Sequence, residues 1–193
     1  GSHRMVTKQV SFYEEMTNVP FIIAGPGIHP RQKPVEDLLT QPTIDLLPTL
    51  CELAGIPVPS SKPGISLAPF LKGEKQKRQH PYAASEWHSE YEVTVSPGRM
   101  IRSPRYKYTH YLEGNGEELY DMLKDKGERR NLAHDPKYSK ILAEHRALLD
   151  DYIRRTQDDY RSLKVEADKR WRSHAPGYPN HEGPCARDII NRK

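Results

Sequence analysis

The sequence predicts an α/β chain, α+β in its own content: a buried strand leading to a helix, then an antiparallel sheet packed by a long helix. Three observations predict it. An apolar run at residues 19–24 leads through a Gly-Pro-Gly turn towards a helical pattern at 44–55. Five short strand-like runs with tight turns occupy residues 82–121. From Asp135 onward apolar residues recur at helical spacing.

The first element is the run from Val19 to Ala24, short, apolar and ended by Gly25, which reads as a buried strand. Residues 28–34 form a polar loop bounded by proline. In the helix at 44–55, Asp45 can cap the start and Pro48 falls in the first turn. Leu46, Leu50 and Ala54 recur at i, i+4, Leu47 and Cys51 widen the stripe, and Gly55 is the stop. Residues 66–71 fit one more helical turn, ended by Gly73.

Strand runs follow at 82–88, 91–95, 99–102, 106–112 and 118–121, with Ser103 and Pro104 making one turn. The short spacing predicts an antiparallel meander. Alternation sets Tyr106, Tyr108 and His110 on one face and Lys107, Thr109 and Tyr111 on the other. Asp135 is then an N-cap, with Pro136 at the first helical position. Tyr138, Ile141, Leu142, His145, Leu148, Leu149, Tyr152 and Ile153 share one face of this helix, which should cover the meander. Apolar spacing fades past Tyr160. The expected division is residues 1–78, residues 79–160, and an extended tail at 161–193.

The 193 residues carry a net charge of +4, with both signs mixed along the chain and no concentrated basic block, which argues against nucleic acid as a partner. No stretch approaches the length of a transmembrane helix. Only 35% of residues are hydrophobic and 17 are proline, so loops are extensive. Cys51 and Cys185 permit one disulfide; Cys51 reads as a buried free thiol and Cys185 as exposed, and neither has zinc-type spacing.

Chemistry concentrates near the start. His3, Arg4 and Lys8 precede Tyr13, Glu14 and Glu15, and the apolar run follows at once. A cationic loop entering a sheet edge can hold an oxyanion, and a lysine offers it a compact charge with three donors. A charge run of this kind is also commonly a solvated face.

Five stretches in order resemble the type I, formylglycine-dependent sulfatases of the alkaline-phosphatase-like superfamily. Gly1, His3, Lys8, Tyr13-Glu14 and Val19-Pro20 fit the family's Gly-x-His, Lys, Tyr-Glu, Val-Pro series. Residues 45–55 resemble its Asp-x-x-Pro-Thr helix, and residues 64–73 its Gly-x-Ser-Leu-x-Pro-x-Leu-x-Gly segment. Residues 99–108 resemble its C-terminal strand pair, and residues 118–132 its Glu-Leu-Tyr-Asp series ending in Asn-Leu.

The resemblance implies a C-terminal portion of such an enzyme: the last part of the large α/β domain plus a small C-terminal subdomain. It implies Lys8 as a catalytic contact to the sulfate group and His3 as a substrate contact beside it. Glu86 and His88, flanking Trp87, fall where the subdomain can reach a sugar ring, although an ordinary strand edge explains them too. The family nucleophile, a Cys or Ser in Cys/Ser-x-Pro/Ala-x-Arg, has no counterpart here. Nor has the upstream Asp-His/Asn metal pair. Calcium is therefore expected in the complete enzyme but not on ligands within this chain, and the chain alone should be inactive. The implied partners are a sulfate ester, of the sulfated-carbohydrate class, and the N-terminal sulfatase portion or a second chain; no membrane partner is implied. A periplasmic, secreted or lysosomal location is the family expectation. The alternative is a degenerate, non-catalytic sulfatase-like module, or part of a related phosphatase or phosphonate hydrolase.

Overall fold

The computed structural model describes residues 3, 11–30, 35, 38–61, 63–75, 80–87, 97–112 and 116–163. In chain order the helices and strands are α1 (Glu14–Thr17), α2 (Pro42–Ala54), α3 (Ala68–Leu71), β1 (Ala83–Trp87), β2 (Gly98–Arg102), β3 (Tyr106–Tyr111), β4 (Gly116–Asp121) and α4 (Ser139–Thr156). The four strands form one sheet in the order β1-β2-β3-β4. The strand expected at 91–95 and the tail from residue 164 lie outside the described residues. So does Cys185, while Cys51 is a half-buried free thiol.

Two compact units divide the chain, one formed by residues 1–17, 85–101 and 106–193, the other by 18–84 and 102–105. In the first unit β3 and β4 are antiparallel, pairing Lys107 with Tyr120, Tyr108 with Leu119 and Thr109 with Glu118. Lys107, Tyr108 and Thr109 are each 1% exposed, so consecutive residues pointing to opposite faces are all buried. The sheet is therefore covered twice here. On the face of Tyr106, Tyr108 and His110 lies α4. His145 meets Tyr106 edge-on, Arg146 pairs with Glu117, and Tyr108 donates to Glu117. Residues 11–17 cover the face of Lys107, with Phe12 against Tyr111.

β4 would be an open edge, but its backbone is answered by the segment after it. Asn131 accepts from the Leu119 N–H and donates to the Glu117 carbonyl, and the Leu132 N–H donates to Leu119. These bonds occupy groups that an exposed edge would offer to another chain. The long helix begins as expected: Asp135 accepts from the Lys137 N–H, and Pro136–Tyr138 make a 3₁₀ turn leading into α4. Gln157, at φ 54°, ends it in the left-handed conformation.

His145 is 4% exposed, and burial holds its imidazole below the usual value of 6.5. The folded chain thus favours the neutral ring. The stability this gives is present above pH 6.5 and is lost as pH falls from there towards the depressed folded value. Unfolding midpoints should drop between pH 7 and pH 5 more in the wild type than in His145→Phe. Parallel pH profiles for the two proteins would remove His145 as the cause.

In the second unit, α2 is fixed by a side chain inside its first turn. Asp45 is fully buried and accepts from the Gln41 and Ile65 N–H groups at 2.7 and 2.8 Å and meets His80 at 2.7 Å. Burial opposes its charge, yet these hydrogen bonds, led by His80, hold its carboxyl below the usual range. Thr49, also fully buried, donates to the Asp45 carbonyl and accepts from Leu67 N–H, tying α2 to the start of α3. Gly64 has φ +112°, and a Cβ there would lie 2.1 Å from the Ile44 carbonyl oxygen, so this crossing requires glycine.

Two expectations change. The helix begins at Pro42, so Asp45 caps it from within and Pro48 is interior. Residues 19–24 form no strand: Val19 is 52% and Ile22 87% exposed. A strand needs neighbours to answer its backbone, and among the described residues none pairs with this run.

Candidate functional site

Lys8 and His88 lie outside the described residues. His3 is half-buried, with φ 52°, and its ring stacks on Tyr13 at 3.6 Å with planes 2° apart. Among the described residues, its buried Nε2 meets no hydrogen-bond partner. Burial first, and then the charge of Glu118, push the Tyr13 hydroxyl well above its usual value, so Tyr13 stays a neutral phenol.

Beneath this stack lies a buried ion-pair cluster. The Lys107 ammonium is 2.6 Å from Glu14 Oε1 and 2.9 Å from Glu128 Oε1, and it donates to the Phe12 carbonyl at 2.9 Å. Glu128 Oε2 accepts from the Glu14 N–H at 2.7 Å. Both Lys107 and Glu128 have side chains 1% exposed. One ammonium thus fixes α1, the segment before it and the turn carrying Glu128, whose φ is 48°.

His3, Glu15 and Glu128 bring one ligand atom each within 4.8 Å of one another. This set does not fit calcium. Calcium takes six to eight oxygens, whereas this group offers two carboxylates and a nitrogen, and Lys107 already neutralises Glu128.

Glu86 lies on the other side of the sheet, with α4. Its Oε1 accepts from the Tyr152 hydroxyl at 2.6 Å and lies 3.9 Å from Arg99 Nε. Its side chain remains 45% exposed, and a carboxylate there can still receive a further donor. Arg99 is the organiser of this corner. It makes a two-pronged pair with Asp158 at 2.6 and 2.9 Å, donates to the Trp87 carbonyl at 2.9 Å, and lies 4.4 Å over the Tyr160 ring. Tyr160 donates its hydroxyl proton to the His110 carbonyl, so at 2.7 Å it can accept from His110 Nδ1. His3 and Glu86 therefore lie on different sides of the sheet, His3 stacked on Tyr13 and Glu86 beside the buried Arg99 of β2. Arg99, Lys107 and Glu128 fall within the stretches that resemble the family, but nothing local in the sequence marks them, or Asp158, as organisers of buried contacts.

The family model described as N-sulphoglucosamine sulphohydrolase, C-terminal, matches residues 1–155. The chain belongs to this family of sulfatase C-terminal regions. It is 77% identical over all 193 residues to a Delta 4,5-hexuronate-2-O-sulfatase of Bacteroides thetaiotaomicron, of which it covers 40%. It is 34% identical over 140 residues to human arylsulfatase K, covering 68% of this chain and 25% of that protein. A solved 2-O GAG sulfatase superposes with TM-score 0.85 at 78% identity, covering 97% of this chain and 41% of that one. The chain thus spans about two fifths of the length of the first two-O-sulfatase relatives it matches.

Proposed function

We propose that this chain supplies the C-terminal portion of a sulfuric ester hydrolase acting on glycosaminoglycan that carries 2-O-sulfated hexuronate. The observation that carries this reading is 77% identity, running the whole length of the chain, to a hexuronate-2-O-sulfatase. The formylglycine nucleophile and the calcium ligands belong, on this reading, to the part of the sulfatase that the chain does not span. Lys8 contacts the sulfate and His3 stands beside it; Glu86, on the other side of the sheet from His3, is a separate border to the sugar, read together with His88. An extracytoplasmic compartment, where such a polymer is met, goes with the same reading.

The test is release of inorganic sulfate from an unsaturated 2-O-sulfated uronate disaccharide. The chain joined to the rest of a sulfatase should release it, and the chain alone should not, with or without calcium. Release only from an aryl or choline sulfate would overturn the substrate, and release by the chain alone would overturn the division of labour.

A further inference from the structure

Between Lys124 and Lys140 the sequence holds six basic and three acidic residues, a mixture that does not stand out from the rest of the chain. The fold sorts the two signs. The six cations, Lys124, Lys126, Arg129, Arg130, Lys137 and Lys140, are all exposed, whereas the three acids are buried or half-buried. Glu128 is buried against Lys107. Asp125 accepts from the N–H groups of Arg129 and Arg130 at 2.8 and 2.9 Å. Asp135 accepts from the Lys137 N–H and, at 3.1 Å, from the Arg130 guanidinium. The carboxylates are thus occupied mainly in fixing the backbone, and the cations face water. Further backbone bonds, from Glu128 to Asp125, Asp135 to Leu132 and Tyr138 to Asp135, hold the turns between them. The next exposed carboxylate along the chain is Glu144. Farther along α4 the arrangement is the opposite: Arg154 and Arg155 pair with Asp151, and Arg161 with Asp150. Those charges are answered locally. Lys124, Arg129 and Lys137 pair with no carboxylate among the described residues.

We propose that residues 124–140 form a binding surface for a sulfated, anionic polysaccharide chain. This rests on the glycosaminoglycan reading above and gives the chain a part in holding the polymer. Sulfates and uronate carboxylates both take Lys and Arg as charge-assisted donors. Cations presented on a backbone already held by its own carboxylates leave less to be ordered on binding. A nucleic acid suits the surface less well. Single strands are gripped by stacking on aromatic rings, and the only Phe, Tyr or Trp in the stretch, Tyr138, is half-buried.

The experiment titrates a heparin-derived octasaccharide, rich in 2-O-sulfated uronate, into the full chain by calorimetry at several salt concentrations. Binding should weaken steeply as salt rises. Lys124→Gln/Arg129→Gln/Lys137→Gln should bind about tenfold more weakly, with a shallower dependence on salt. Arg154→Gln/Arg155→Gln/Arg161→Gln lowers the net charge equally and should stay within about twofold of wild type, because its cations are already paired. All six side chains are exposed, so both variants should keep the wild-type unfolding curve. Equal losses in the two variants overturn the proposal, since net charge alone would then account for binding. Tighter binding of an oligothymidylate of equal charge than of the octasaccharide overturns it too, in favour of a nucleic-acid surface. Binding is read without turnover. A chain that binds the octasaccharide but releases no sulfate when joined to the rest of a sulfatase therefore defeats the proposed activity and leaves the surface standing. Sulfate release from the disaccharide with no octasaccharide binding does the reverse.

Discussion

Lys107→Met should destabilise the first unit by about 3–5 kcal/mol, because it strands a buried charge. The ammonium has two carboxylates within 2.9 Å, and Glu128 has its side chain 1% exposed. Without Lys107, Glu128 must either take up a proton or remain an unpaired anion out of water. The Phe12 carbonyl loses its donor at the same time. Adding Glu128→Gln removes the stranded charge while keeping an acceptor for the Glu14 N–H, so the double variant should recover a substantial part of the loss. Urea unfolding followed by tyrosine fluorescence reads both effects. A single-variant loss under about 1 kcal/mol would show that water reaches the cluster and screens it.

The second large effect is expected at Lys8, in the complete enzyme. If Lys8 is aimed at a sulfate oxygen, its charge matters most as negative charge builds on the ester oxygens. Lys8→Ala should then lower kcat by about 10²–10³, with little change in the unfolding curve. Lys8→Arg should restore only part, since a planar fork does not replace a compact ammonium. Steady-state kinetics on the two variants decides it. A kcat for Lys8→Ala within about twofold of wild type, under ~0.5 kcal/mol, would end the assignment.

The contrast between these two lysines shows what the sequence could and could not convey. Local signals were legible: Asp135 and Pro136 mark the entry to α4, Gly55 at φ 68° ends α2, and the runs at 99–102, 106–112 and 118–121 became β2, β3 and β4. The alternation in β3 was legible too, but not that both faces are covered. The cover over Lys107 comes from residues 11–17, and nothing near Lys107 announces it. Residues 19–24 were misjudged for the opposite reason. Their apolar character is real, but a strand is a property of a pair, and this run has no partner among the described residues. His3 and Glu86 were nominated by resemblance, and their surroundings follow from Lys107 and Arg99, whose importance lies in contacts distant along the chain.

Those distances bear on the order in which the protein is made. Arg99 waits for Asp158, 59 residues later, and the carbonyl of Phe12 waits for Lys107, 95 residues later. Closing such long loops is slow relative to forming a hairpin like β3–β4. During synthesis β2 emerges with its guanidinium lacking the Asp158 carboxylate until the segment beyond α4 has left the ribosome. The opening segment stays unanchored until β3 and the Glu128 turn arrive. The hairpin is thus the natural early structure and the clasp at Arg99 closes last, so a ribosome stalled before Asp158 would hold a sheet whose Arg99 lacks its carboxylate.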